Sequence, residues 1–137
     1  MIVQTQTTSF KAELYQGTHN LLSDTLKMAL YTSFASLNAD TTVYTTTGEI
    51  TGTGYTAGGN LVTGATVNTS GYTAYVSFNN VIWTNSSLMA RCALLYNVSK
   101  GNKSICVIDF GADKTCTNSF TIQFPTAVAS SAILRIA

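Results

Sequence analysis

The groups in this chain that could do chemistry are one histidine, six carboxylates and three cysteines. A proton-transfer or hydrolytic site would set His19 beside a nucleophile, or two carboxylates across a scissile bond. His19 stands next to Asn20 with no serine or cysteine motif to serve, which reads as a structural or solvated imidazole. Without a second imidazole, a histidine-based metal site lacks ligands. Glu13, Asp24, Asp40, Glu49, Asp109 and Asp113 are spread along the chain, and no spacing among them selects a glycosidase pair. Asp109 and Asp113 flank one turn and offer at most a weak cation site, without the dense oxygen spacing of a calcium loop. Gly48, Gly52 and Gly54 resemble the start of a phosphate loop, but no lysine follows and no strand-to-helix context surrounds them. No catalytic, metal-binding or cofactor-binding residue is therefore assigned, and no cofactor or enzymatic activity is expected.

Cys92, Cys106 and Cys116 lack the paired spacing of a zinc site. With a hairpin turn at Ser99 to Asn102, Cys92 and Cys106 fall several residues out of register, too far for a direct bridge. Reduced thiols buried as small hydrophobes are expected. Asn-x-Ser/Thr triplets begin at Asn68, Asn85, Asn97 and Asn102, a chance outcome in a chain rich in those residues.

Composition narrows the partners. The net charge is +1 and the lysines and arginines are scattered, so nucleic acid is not expected as a partner. No apolar stretch approaches the roughly 20 residues of a membrane span, and no membrane partner is expected. The opening MIVQTQTTSF has neither a basic nor an apolar signal region, so synthesis and folding in a cytoplasm are expected. Charged residues make up 9%, against roughly a quarter in ordinary soluble domains. So few charges suit either a polar-coated β domain or a subunit held inside an assembly.

The elements come next. Residues 1–8 read as an N-terminal arm with an apolar tip at Ile2 and Val3, either frayed or added to a neighbour's sheet edge. Residues 9–137 read as one domain. Ser9 to Gly17 suits a short helix capped by Ser9, with Phe10 and Leu14 on one face and Gly17 as its stop. Leu26, Met28 and Leu30 alternate as in a strand over Thr25–Thr32, although a helix capped by Ser23 also fits the apolar spacing. Thr42–Thr47 is expected to be a strand, and Asn38–Gly59 as a whole to be a long flexible surface loop with a short β piece around Glu49-Ile50. Tyr55, Gly58 and Gly59 in that loop join Ile2 and Val3 as candidate interface residues. Asn60–Val67 reads as a strand.

Tyr72 to Phe110 reads as a core meander of successive strands, punctuated at Asn79-Asn80, Asn85-Ser86-Ser87 and Ser99 to Asn102. Gly111 to Lys114 is expected to turn the chain, Ser119–Phe124 and Ala132–Ile136 to be the last strands, and Arg135 to point outward. About eight to ten short strands indicate an all-β fold: an antiparallel sandwich or jelly-roll-like domain with a short N-terminal helix. Tyr44, Tyr55, Tyr72, Tyr75, Tyr96 and Trp83 could stack on sugars, but at strand spacing such aromatics more often fill a core.

Five motifs recur in one order: Phe10-Lys11-x-Glu13-Leu14, Lys27-x-Ala29-Leu30-Tyr31-Thr32, Gly54-Tyr55-x-Ala57-Gly58-Gly59, Ala93-Leu94-x-Tyr96-Asn97 and Asp109-Phe110-Gly111-x-Asp113-Lys114. In them the chain resembles small virion structural proteins of tailed bacteriophages, from about Ser9 to Ala137. Cys92 departs from that pattern, where a small residue such as glycine is expected, and brings thiol chemistry in the mature particle into view. The resemblance implies a particle component with no enzymatic residues. The expected role is a capsid decoration, or cement, protein on the outside of the head. There it would join subunits of the phage major capsid protein, and copies of itself, in a virion assembled in the host cytoplasm. The alternatives are a neck, tail or fibre-attachment protein and a carbohydrate-binding module.

Overall fold

The computed structural model describes residues 1–125, 128 and 130–136; the expected domain end at Ala137 lies outside them. The chain runs β1 (Thr5–Gln6), α1 (Thr8–Tyr15), β2 (Leu26–Tyr31), β3 (Asn60–Val62), β4 (Thr66–Ser70), β5 (Thr73–Ser77) and β6 (Val81–Trp83). It continues with β7 (Leu88–Asn97), a short 3-10 turn (Val98–Lys100), β8 (Lys103–Cys116), β9 (Phe120–Ile122) and β10 (Leu134–Ile136). The fold is all-β with one short N-terminal helix. Five strands pair in the order β1-β8-β7-β2-β3, three in the order β10-β5-β4, and two as β6-β9, every pair antiparallel. A jelly roll is built from paired Greek keys, and these pairings do not establish that order.

The central strands β2 and β7 are nearly continuous in apolar side chains because both faces of the five-stranded sheet are covered. Leu26, Met28 and Leu30 face one cluster with Trp83 and Phe120, whereas Ala29 and Tyr31 face a second with Leu37 and Tyr96. In β7, Leu88 and Ala90 belong to the first cluster, yet Cys92, Leu94 and Tyr96 belong to the second. That parity switch coincides with the register shift between Ala90 and Cys92, because one bulge moves every later side chain to the other face. Opposite it lies Gly111 at φ +80, where a turn was expected; instead β8 bulges there and continues to Cys116.

The other corrections have equally local causes. The helix is capped by Thr7, not Ser9: the Phe10 N–H donates to Thr7 Oγ1 at 3.4 Å. Thr7 is fixed from outside, since its N–H donates to the Ile105 carbonyl and Ser104 Oγ donates to its hydroxyl. The expected arm is zipped onto its own chain, with Thr5 opposite Val107, Gln6 opposite Cys106, and Ile2 bridged to Leu37. Thr42–Thr47 forms no strand beyond a single bridge between Val43 and Lys103. The strand expected over Asn60–Val67 breaks at Gly64, whose φ of +72 redirects the chain from β3 into β4. The strands of the Tyr72 to Phe110 stretch all form, but they are not one meander: β5 pairs with β4 and β10, β6 with β9, and β7 with β8.

Candidate functional site

The glycine-rich stretch expected to be flexible is tied down by one carboxylate. Tyr31 and Glu49 form a bridge beside the second half of β2, where β3 has already ended. Leu30 there has its N–H and carbonyl turned away from β7, a sheet edge that needs partners. The Ile50 N–H donates to the Leu30 carbonyl at 3.1 Å, and the Leu30 N–H donates to Tyr55 Oη at 3.0 Å. Tyr55 Oη in turn donates to Glu49 Oε2 at 2.5 Å, Tyr44 Oη to Oε1 at 2.6 Å, and the Gly58 N–H to Oε2 at 2.8 Å. Tyr96 Oη donates to the Gly58 carbonyl, and Tyr31 Oη to the Thr45 carbonyl, both at 2.6 Å. Four phenols thus stitch the loop to the sheet, with Glu49 accepting from three donors at the centre.

Chemically this is a lock whose acceptors are occupied. Burial first, then hydrogen bonding to Glu49, pushes the Tyr44 and Tyr55 phenols well above their ordinary 10.0. Burial also raises Tyr31, and carries Tyr96 up to about 12. All four therefore stay protonated and donating through neutral pH. Raised phenol values add stability that is complete below about pH 10 and is lost as the pH climbs beyond it. A denaturation midpoint followed against pH should fall steeply above about pH 10, with tyrosinate absorbance appearing together with unfolding. Smooth titration of these phenols in a folded protein would contradict the lock.

The proposed interface residues fall on two parts of the fold. Ile2 is half-buried against the second cluster and Val3 is exposed, both beside Leu37. Tyr55 is half-buried, Gly58 buried and Gly59 half-buried, all within the lock. Gly59 crosses so near β2 that a methyl there would overlap the Met28 carbonyl oxygen. Of the six aromatics weighed as a sugar platform, Trp83 is buried between Tyr55 and Phe120, and Tyr44 stacks on Tyr96 at 4.8 Å. Tyr75 is half-buried, and Tyr72 stands fully exposed at the β4–β5 turn.

The His19 imidazole is buried, with both ring nitrogens engaged. Asn97 Nδ2 donates to Nδ1 at 3.0 Å, and Nε2 donates to Glu13 Oε1 at 2.8 Å. The same Asn97 amide donates to Asp24 Oδ2 at 2.8 Å. Desolvation works against the Asp24 carboxylate, but the Asn97 and Asn20 hydrogen bonds and the Lys100 charge outweigh it and hold its pKa below the ordinary value. Asp109 is lowered by the Gly111 N–H first, against some desolvation, with Arg91 Nε adding at 3.1 Å. Asp109 is thus committed to Arg91, and its neighbour Asp113 is exposed on the bulged part of β8. Among the described residues, no three or more metal-ligating side chains gather.

The cysteines are free thiols. Cys92 pairs with Asp109 and Cys106 with Leu95, and the two belong to opposite faces of the sheet. Burial, with the Asp109 charge adding, pushes Cys92 up to about 12, and burial alone pushes Cys106 up to about 12. Under native conditions a thiol reagent should therefore modify half-buried Cys116 first, and Cys92 and Cys106 only on unfolding. Equal labelling rates would contradict that order.

Residue spacing pointed to Tyr55 but missed Glu49, Tyr31 and Tyr44 as its partners, and Asn97 as the partner of His19. The available signal was the one acid between Tyr44 and Tyr55 in a Thr/Gly-rich stretch. The chain matches no protein-family model, no curated protein and no solved structure.

Proposed function

We propose that this chain is a virion structural protein of a tailed phage, most specifically a decoration protein. It would bind the outer surface of the head and brace contacts between major capsid subunits. One observation carries the reading furthest: a surface with few charges displays Tyr15, Phe34 and Tyr72 at 94%, 93% and 103% exposure. Large aromatics left in water on a neutral surface are the anchors that protein interfaces bury. The acidic and imidazole groups at Glu13, His19, Asp24, Glu49 and Asp109 are meanwhile spent on internal bonds. That combination favours contact over turnover.

A protein that binds only the assembled lattice stabilises it by mass action. Particles lacking the chain should lose their genome at lower temperature, and adding the purified protein should restore their heat resistance. Particles equally heat-resistant with and without it would count against the head position and favour the neck or tail.

A further inference from the structure

Most edges of the sheets are blunted in the ways that keep β proteins from pairing with themselves. β1 covers part of β8, and the exposed remainder of β8 carries Asp113, Lys114 and the bulge at Gly111. The lock covers β2, and Asn60 of β3 donates to the Ile82 carbonyl. Gln6 Nε2 takes the Arg135 carbonyl on β10. β6 and β9 are only three residues long. β4 has none of these devices: its five residues are all exposed, and TVNTS holds no charge, proline or bulge.

The register shows which backbone groups that edge offers. Ser70 lies opposite Thr73 across the two-residue turn Gly71-Tyr72, with Gly71 at φ +59. A turn that tight makes Ser70 and Thr73 a hydrogen-bonded pair, and by alternation Asn68 and Thr66 also bond inward to β5. Val67 and Thr69 then present their N–H and carbonyl groups outward. Val67 is 52% exposed, and its side chain joins Leu22 and Ile136, at 61% and 58%, around an apolar groove against α1.

We propose that β4 pairs with the β4 of a second copy, antiparallel about a two-fold axis at Asn68. That register engages both outward residues of each copy: each Val67 meets the other copy's Thr69, exchanging two hydrogen bonds at each of two symmetry-related places. The three-stranded sheet becomes one continuous sheet across the dimer, and no like charges meet at the seam. A second copy fits because the edge is self-complementary. The inference goes beyond the virion reading and does not depend on it.

Sedimentation equilibrium of the full chain over a concentration series is the test, on wild type, Val67→Pro and Asn68→Lys. Val67→Pro removes an outward N–H from each copy, and Asn68→Lys brings two cations together at the axis. Wild type should dimerise, and each variant should weaken the dimer roughly ten- to a hundredfold while leaving the circular dichroism unchanged. If Val67→Pro does not fold, Asn68→Lys, whose side chain lies on an exposed strand, decides. A wild type that is monomeric up to about millimolar, or a dimer that folded Asn68→Lys leaves intact, would overturn the proposal.

Discussion

Glu49→Ala is expected to lower the stability of the fold by about 3 kcal/mol, a drop of roughly 10 °C in melting temperature. The substitution strips an acceptor from the Tyr44 and Tyr55 hydroxyls and from the Gly58 N–H. Each donor left without a partner costs about 1 kcal/mol or more, and the half-burial of the site keeps the sum near the low end of that range. Glu49→Gln keeps the shape but turns an amide donor toward a phenol donor, so about half of the loss should remain. Chemical denaturation of Glu49→Ala, Tyr55→Phe and the double variant supplies the double-mutant cycle that isolates the Glu49–Tyr55 bond. A Glu49→Ala change of less than about 1 kcal/mol would show that the loop does not depend on this carboxylate.

Gly59→Ala should be at least as damaging. Gly59 sits at φ +79, and an added methyl meets the Met28 carbonyl, a backbone group in the middle of β2 that cannot swing aside. Overlap and left-handed strain together are expected to cost about 3–5 kcal/mol. Gly101 is the internal control: its φ is +69 and a methyl there touches nothing within 4 Å, so Gly101→Ala should cost only about 1 kcal/mol. Urea unfolding of the two variants separates strain from overlap. Equal losses would mean that the loop does not press on β2 as closely as described.

How far these features could be read from residues alone depends on the interaction that makes them. β2 is legible because Leu26, Met28 and Leu30 alternate, and the β7–β8 hairpin because Gly101 and Asn102 supply the left-handed turn at φ +69 and +61. Partner choice is a different matter. Alternation says which face a side chain occupies but not which strand lies beside it, so the pairing of β6 with β9 and of β5 with β10 left no trace in the pattern. The bulge at Gly111 reads as a turn, because a glycine beside Asp113 and Lys114 has the same composition in either setting. Thr7 and Ser9 are both fair helix caps on local chemistry, and the contact with Ile105, far away in sequence, decides between them. Polar ties such as those to Glu49 and His19 carry no period, and an acid in a Thr/Gly loop looks like a solvated one.

The claim beneath the functional reading is that this polypeptide acts by being held against other proteins in a particle. The measurement closest to it is the number and position of copies in purified virions, from a reconstruction of the whole particle together with the mass ratio to the major capsid protein. The account predicts density for this fold on the outer face of the head, repeated with the capsid lattice and present in a copy number comparable to that of the capsid subunit. Its absence from purified particles, with the protein recovered only outside them, would contradict the account.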